Sequence, residues 1–322
     1  AEVRNEKFKV LRISTGQLLT WGTGKVSELG QTMYTTYEPK PKIIKRLSNT
    51  CIIKISAGRH HVLAISDTYQ LYSWGSGRSG KLGHNSFLDY HEPEYVQFFD
   101  KYYVEDCSAG DNHSVVLTRT RKGDRDSQLR RIASFGKGAH GRLGYGRNLV
   151  QSLPMLVDTW PPSLQGMQIH QVSAGGAHTM ALLYKSVPKS LANPWGRETA
   201  VAAWGYGYNG QLGNGSMKDS FVPIKCRMPE RCLLIREVCA GRSWSMARSI
   251  GGELFTWGKG LRGQLGQGKP KYLLVPTFMK TFASFVHLSA DFSHSVCITT
   301  AKKVYSRKLS QQAVNYPDPF DT

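Results

Sequence analysis

The sequence predicts an all-β fold assembled from a repeated unit, and three observations carry that reading. A glycine-rich ten-residue segment recurs five times, a second short motif alternates with it, and short apolar runs bounded by turn residues lie between them. The first segment reads Trp21-Gly-Thr-Gly-Lys-Val-Ser-Glu-Leu-Gly30, Trp74-Gly-Ser-Gly-Arg-Ser-Gly-Lys-Leu-Gly83, Phe135-Gly-Lys-Gly-Ala-His-Gly-Arg-Leu-Gly144, Trp204-Gly-Tyr-Gly-Tyr-Asn-Gly-Gln-Leu-Gly213 and Trp257-Gly-Lys-Gly-Leu-Arg-Gly-Gln-Leu-Gly266. The leading aromatics are 53, 61, 69 and 53 residues apart, which makes a common unit with insertions in the second and third copies.

The second motif reads Ser56-Ala-Gly-Arg-His60, Ser108-Ala-Gly-Asp-Asn-His113, Ser173-Ala-Gly-Gly-Ala-His178, Cys239-Ala-Gly-Arg-Ser-Trp244 and Ser289-Ala-Asp-Phe-Ser-His294. An apolar strand follows each copy, as at Val62 to Ile65, Val115 to Leu117, Met180 to Leu183 and Val296 to Ile298. A turn and another strand then lead into the next aromatic, as in Gln70-Leu-Tyr-Ser-Trp74. Glycines in the ten-residue segment permit positive φ and close backbone approach. Its single Leu anchors the loop in the core, and its Trp wedges between neighbouring sheets.

These residues resemble the repeat of the RCC1 (regulator of chromosome condensation) family, from about Phe8 to Ser306. The resemblance implies a β-propeller, with one four-stranded antiparallel blade per repeat and commonly seven blades. Here there are five complete units (about 21–73, 74–134, 135–203, 204–256 and 257–306), preceded by a strand pair at Val10 to Ile13 and Gln17 to Thr20. Sheet edges need protection, which a blade shared by both chain ends provides. Six blades are therefore expected in a single domain over 1–322, the sixth composite, from residues 8–20 and a C-terminal tail containing Val314. Sequence upstream of Ala1 would restore seven.

Four copies contain a literal G-x-G-x-x-G (Gly75/Gly77/Gly80, Gly136/Gly138/Gly141, Gly205/Gly207/Gly210 and Gly258/Gly260/Gly263). No helix opens behind any of them, as a phosphate site requires, so they read as turns. The recurring His60, His113, His178 and His294 read as a repeated backbone hydrogen bond, replaced by packing at Trp244. Cys51, Cys107, Cys226, Cys232, Cys239 and Cys297 form no CxxC pair and no zinc spacing, so reduced thiols and no metal are expected. No catalytic constellation is legible, and neither an enzyme nor a cofactor is expected. The family's ultraviolet photoreceptors carry Gly-Trp-Arg-His-Thr in successive repeats. Gly58-Arg-His-His, Gly110-Asp-Asn-His and Gly241-Arg-Ser-Trp stand here instead, which argues against light sensing.

Function enters through charge. The formal balance is +19 with a pI near 9.7, which favours nucleic acid, an anionic membrane face or an acidic protein as partner. No apolar run is long enough to span a membrane. In a four-stranded meander the first and third turns share one end. That end collects Lys25, Arg59, Arg78, Lys81, Lys137, Arg142, Arg147, Arg242, Lys259, Arg262, Lys269 and Lys271, together with the acids Glu28, Asp111 and Asp291. Both insertions fall in second turns, at the other end. One carries Arg119, Arg121, Lys122, Arg125, Arg130 and Arg131 against Asp124 and Asp126; the other, 184–199, carries Trp195. Arginine with an aromatic suits a phosphate backbone or an unpaired base. The expected function is a non-catalytic scaffold for an acidic protein or a nucleic acid or ribonucleoprotein, in the nucleus or mitochondrion. The resemblance adds guanine-nucleotide exchange on a Ran-like GTPase as one alternative. A structural subunit of a large assembly, such as an organellar ribosome or ciliary complex, is another.

Overall fold

The computed structural model describes residues 2–4, 8–12, 16–32, 35–121, 129–190, 195–230, 234–268, 270–280, 283–290, 295–301 and 303–307. They form six antiparallel sheets, each a simple up-and-down meander. Sheet 1 is Glu2–Arg4 (β1), Phe8–Arg12 (β2), Leu18–Thr23 (β3) and Tyr37–Ile43 (β4). Sheet 2 is Ile52–Ala57 (β5), His61–Ser66 (β6), Leu71–Gly75 (β7) and Tyr90–Tyr95 (β8). Sheet 3 is Tyr102–Ala109 (β9), His113–Thr120 (β10), Arg130–Gly136 (β11) and Gln151–Leu156 (β12). Sheet 4 is Gln168–Ala174 (β13), His178–Ser186 (β14), Arg197–Gly205 (β15) and Ser220–Lys225 (β16). Sheet 5 is Ile235–Ala240 (β17), Trp244–Ser249 (β18), Leu254–Lys259 (β19) and Tyr272–Phe278 (β20). Sheet 6 has three described strands, Phe285–Ala290 (β21), Ser295–Thr299 (β22) and Val304–Arg307 (β23). The chain divides into two compact units: Ala1–Ala139 with Arg147–Asp158, holding sheets 1 to 3, and His140–Gly146 with Thr159–Thr322, holding sheets 4 to 6.

The composite sheet expected from residues 8–20 and the tail is corrected. β2 and β3 pair with β1 and β4, so sheet 1 has four strands drawn from the segment ending at Ile43. β1 is three residues of mixed polarity, too short to show a period of two in the sequence. Val314 lies outside the described residues. The repeat phase also shifts. Sheets 2 to 5 each open on the strand before a Ser-Ala-Gly or Cys-Ala-Gly turn, and the aromatic-Gly pair lies at the end of the third strand, so a unit counted from its aromatic straddles two sheets.

One contact between neighbouring sheets accounts for much of the repeat. The aromatic of one sheet lies under the Leu-Gly glycine of the sheet before it. In the first unit Trp74 lies under Gly30 and Phe135 under Gly83; in the second unit Trp204 lies under Gly144 and Trp257 under Gly213. These glycines have φ between +65° and +84°, and a β-carbon there would lie 2.7–2.9 Å from the ring. Both features exclude a side chain. Trp74 and Trp257 also donate their indole N–H to the carbonyls of Glu28 (3.0 Å) and Gln211 (2.8 Å). The residue before the aromatic fixes the same loop from inside: Thr20, Ser73 and Thr256 donate to the carbonyls of Leu29, Leu82 and Leu265.

Candidate functional site

The paired turns at one end of each sheet share a register. His61 faces Gly75, His113 faces Gly136, His178 faces Gly205 and Trp244 faces Gly258 across the first hairpin's second strand. In each, the turn glycine donates its N–H to the carbonyl of the residue at that place, as Gly58 does to His61 and Gly241 to Trp244 (2.9 Å each). The recurring histidine of sheet 2 is thus His61. His60, one residue short of the register, instead donates Nδ1–H to Glu28 Oε1 at 2.9 Å. His294 lies outside the described residues.

The buried histidines link sheets through side chains, where the sequence suggested a backbone bond. His61 Nε2 meets Ser114 Oγ at 2.9 Å, and His178 Nε2 meets Ser245 Oγ at 3.0 Å. Those hydroxyls donate in turn to the carbonyls of Lys81 and Gln211, which leaves them accepting from the imidazoles. Burial holds both rings neutral: His61 is pushed well below the usual range, with Lys81 adding to the effect. His178 is lowered to about 3 by burial and then by the charge of Arg142.

The position before the Leu of each Leu-Gly step holds Glu28, Lys81, Arg142, Gln211 and Gln264, and all five are buried. Three of them clamp their own loop: Glu28, Gln211 and Gln264 accept the N–H two residues earlier, from Val26, Asn209 and Arg262, at 2.7–3.0 Å. Two predicted partner-binding cations are corrected here. Lys81 is 1% exposed and Arg142 5%, with Arg142 Nη1 donating to the Gly176 carbonyl. Their loop folds that position inward, which charge alone did not reveal.

The rest of the predicted set divides by unit. In the first, Lys25, Arg59, Arg78, Lys137 and Arg147 are exposed on first and third turns. In the second, Arg242, Arg262 and Lys271 are exposed and Lys259 is half-buried; Lys269 and Asp291 lie outside the described residues. The neighbouring acids are held by the loops. Glu28 is spent on Val26 and His60, Asp89 accepts the Gly77 N–H at 2.8 Å, and Asp219 accepts the Gly207 N–H at 2.9 Å and binds His140. These bonds orient the three carboxylates within their own units without removing their charge.

At the opposite end, β10 and β11 carry the basic insertion of the first unit. Arg119 and Arg130 both bind Glu105, and Arg119 and Arg121 lie over the Tyr103 ring, 5.4 and 4.9 Å from its centroid. Arg131 is half-buried on the same strand, and Lys122, Asp124, Arg125 and Asp126 lie outside the described residues. The described arginines thus brace the hairpin stem. Trp195, in the second unit, is 48% exposed beside the turn of the β14–β15 hairpin. Among the described residues no cluster of metal-ligating side chains occurs and no helix is long and apolar enough to cross a membrane.

Repeated four-stranded meanders, joined by aromatic wedges and by turns of fixed register, define a propeller built of one kind of blade. The model of the regulator of chromosome condensation (RCC1) repeat matches residues 15–65, 70–117, 131–182, 200–248 and 251–298. The chain belongs to that family, and its sheets are blades of an RCC1-type β-propeller. It is 28% identical to the mouse E3 ubiquitin-protein ligase HERC2 over 90% of its length, yet spans only 6% of that protein. It is 26% identical to the ultraviolet-B receptor UVR8 of Arabidopsis thaliana, with 94% of this chain and 66% of the receptor covered. The crystal structure of Prp20p from Saccharomyces cerevisiae superimposes with a TM-score of 0.55 at 19% identity, covering 92% of this chain and 82% of that one.

Proposed function

We propose that this chain is a non-catalytic docking platform for an acidic macromolecule, which it meets with the end of its blades that carries the first turns and third loops. One observation carries the reading: Lys25, Arg59, Arg78, Lys137 and Arg147 are exposed on the first and third turns of one unit, and Arg242, Arg262 and Lys271 on those of the other. A net charge of +19 supports it, since such a field concentrates polyanions and speeds their encounter. So does Prp20p, whose structural description names binding to Gsp1p and histones, as befits a fold used to hold macromolecular partners.

The test is a salt titration of binding to polyglutamate, single-stranded RNA and duplex DNA. Affinity for at least one of them is expected to fall steeply between roughly 50 and 200 mM salt. Binding that is absent at low salt, or indifferent to salt, overturns the proposal. Acceleration of guanine-nucleotide release from a small GTPase by stoichiometric protein would assign the chain to exchange instead.

A further inference from the structure

A cavity of about 360 Å³ opens within the first unit, between β8 and β12, the edge strands of sheets 2 and 3. Its volume lies in the range of small-ligand pockets, roughly 300–1,000 Å³. Tyr90, Glu94 and Tyr95 line it from β8, His84 from the loop between β7 and β8, Phe98 from the short helix Gln97–Lys101, and Leu153 from β12. The walls are held in place. Asn85, at φ +54°, donates its N–H to the Ser152 carbonyl of β12 at 3.0 Å. The His84 ring lies 4.4 Å from that of Tyr90, and Phe98 stacks on Tyr102 at 5.8 Å.

The polar groups of these walls offer acceptors. Ser73 donates its hydroxyl to the Leu82 carbonyl at 2.7 Å, so it accepts the Nε2–H of His84 at 2.9 Å. Burial lowers His84 from its ordinary value, although Ser73 and Glu94 pull the other way, and the neutral ring keeps a lone pair on Nδ1. Tyr95 gives its proton to Asp100, which leaves its oxygen as an acceptor. Glu94 adds a carboxylate, which repels phosphate and carboxylate ligands. Aromatic faces beside a carboxylate and neutral acceptors attract a cation. Among cations, a guanidinium is planar, stacks on rings and carries five N–H donors.

The fold already shows that Glu94 accepts such a group. Arg46, which does not line the cavity, reaches Glu94 Oε2 with Nη2 at 3.5 Å. Both side chains are about half exposed, at 56% and 44%, so the pair is weak and open to exchange. Phe98 and Leu153 supply the apolar wall that the aliphatic stem of an arginine needs.

We infer that this cavity receives an arginine side chain of a partner protein, its guanidinium held between the aromatic rings and the Glu94 carboxylate. The ligand is opposite in charge to the polyanion of the docking reading, and the site stands whether or not that reading does.

The full chain is titrated at about 150 mM salt with the peptide Gly-Leu-Arg-Leu-Gly carrying a neutral fluorophore, read by anisotropy. The same peptide with citrulline, and N-acetylarginine amide as a competitor, complete the set. The arginine peptide is expected to bind at least tenfold more tightly than the citrulline peptide, which keeps the shape and lacks the charge, and than the amide. Glu94→Gln should melt with the wild type and bind about tenfold more weakly. Tyr90→Leu should lose about threefold through its missing π face. Arg46→Ala should bind about threefold more tightly, because the competitor for Glu94 is gone; a merely structural role for Glu94 would not produce that gain. Absence of binding to the wild type overturns the site, as does equal affinity for the arginine and citrulline peptides. Unchanged binding by Glu94→Gln or weaker binding by Arg46→Ala does the same. An amide that binds as tightly as the peptide overturns the assignment to a partner's side chain.

Discussion

Replacing Gly144 by alanine tests the aromatic wedge that orders the repeat. Gly144 has φ +84°, and an added β-carbon would sit 2.8 Å from Trp204 Nε1 and 3.2 Å from two further ring atoms. Left-handed backbone costs an L-residue about 1–2 kcal/mol. Forcing a methyl group against a fixed ring costs about 1–3 kcal/mol more. Gly166 is the internal control, with φ +74° and nothing within 4 Å of its would-be β-carbon. There only the backbone cost applies, and both variants regain about 0.4–1 kcal/mol through the stiffer unfolded chain. Gly144→Ala should therefore be less stable than Gly166→Ala by about 1–3 kcal/mol. Urea unfolding reads the difference as a lower midpoint at unchanged slope. Equal midpoints for the two variants would refute the wedge as the reason for the Leu-Gly glycine.

Further outcomes follow from the buried polar groups. His178, lowered to about 3, and His61, also well below 6.5, are neutral when folded and take up protons when unfolded. Their contribution is complete above pH 6.5 and shrinks as pH falls from there toward 3, by up to about 1.4 kcal/mol per unit for each ring, which denaturation at stepped pH measures. Ser245→Ala removes the acceptor of His178 and is expected to cost about 1–3 kcal/mol in the same assay. Burial lowers Lys81 to about 8 from 10.5, so its cost to folding is full below pH 8 and fades as pH rises to 10.5. The stability gap between K81Q and the wild type should close across that window, by up to about 3 kcal/mol. Burial raises Cys107, Cys239 and Cys297 to about 12 and Cys226 further, so these four thiols should react with an aromatic disulfide reagent only after denaturation.

Glycine spacing made the loops, the sheet-to-sheet wedge and the end-sorting of turns legible in the sequence, because each depends on backbone conformations that only certain residues adopt. The direction of a side chain within a loop is set by packing, and that is where charge counting misplaced Lys81 and Arg142. A signal was available: aligned on the Leu-Gly step, the five copies read Glu, Lys, Arg, Gln and Gln. A uniformly polar column beside a fixed Leu marks an inward hydrogen-bonding position, not a solvent-facing one. The exchange of His60 for His61 came from the adjacent pair in Gly58-Arg-His-His, which only strand register separates. The loop bonds of Glu28, Asp89 and Asp219 depend on which backbone amide each carboxylate meets, and residue type alone does not give that.

Charge reversal at two ends of the first unit tests the docking face most directly. Arg59→Glu with Arg78→Glu alters the end carrying the first and third turns, and Lys45→Glu with Lys101→Glu makes the same change in net charge at the other end, on exposed residues between sheets. Polyglutamate titrated against both double variants should bind the first at least tenfold more weakly, with a shallower salt dependence, and the second nearly as well as the wild type. Equal losses from the two would mean that net charge alone attracts the polyanion and that this end of the blades holds no privileged place in binding.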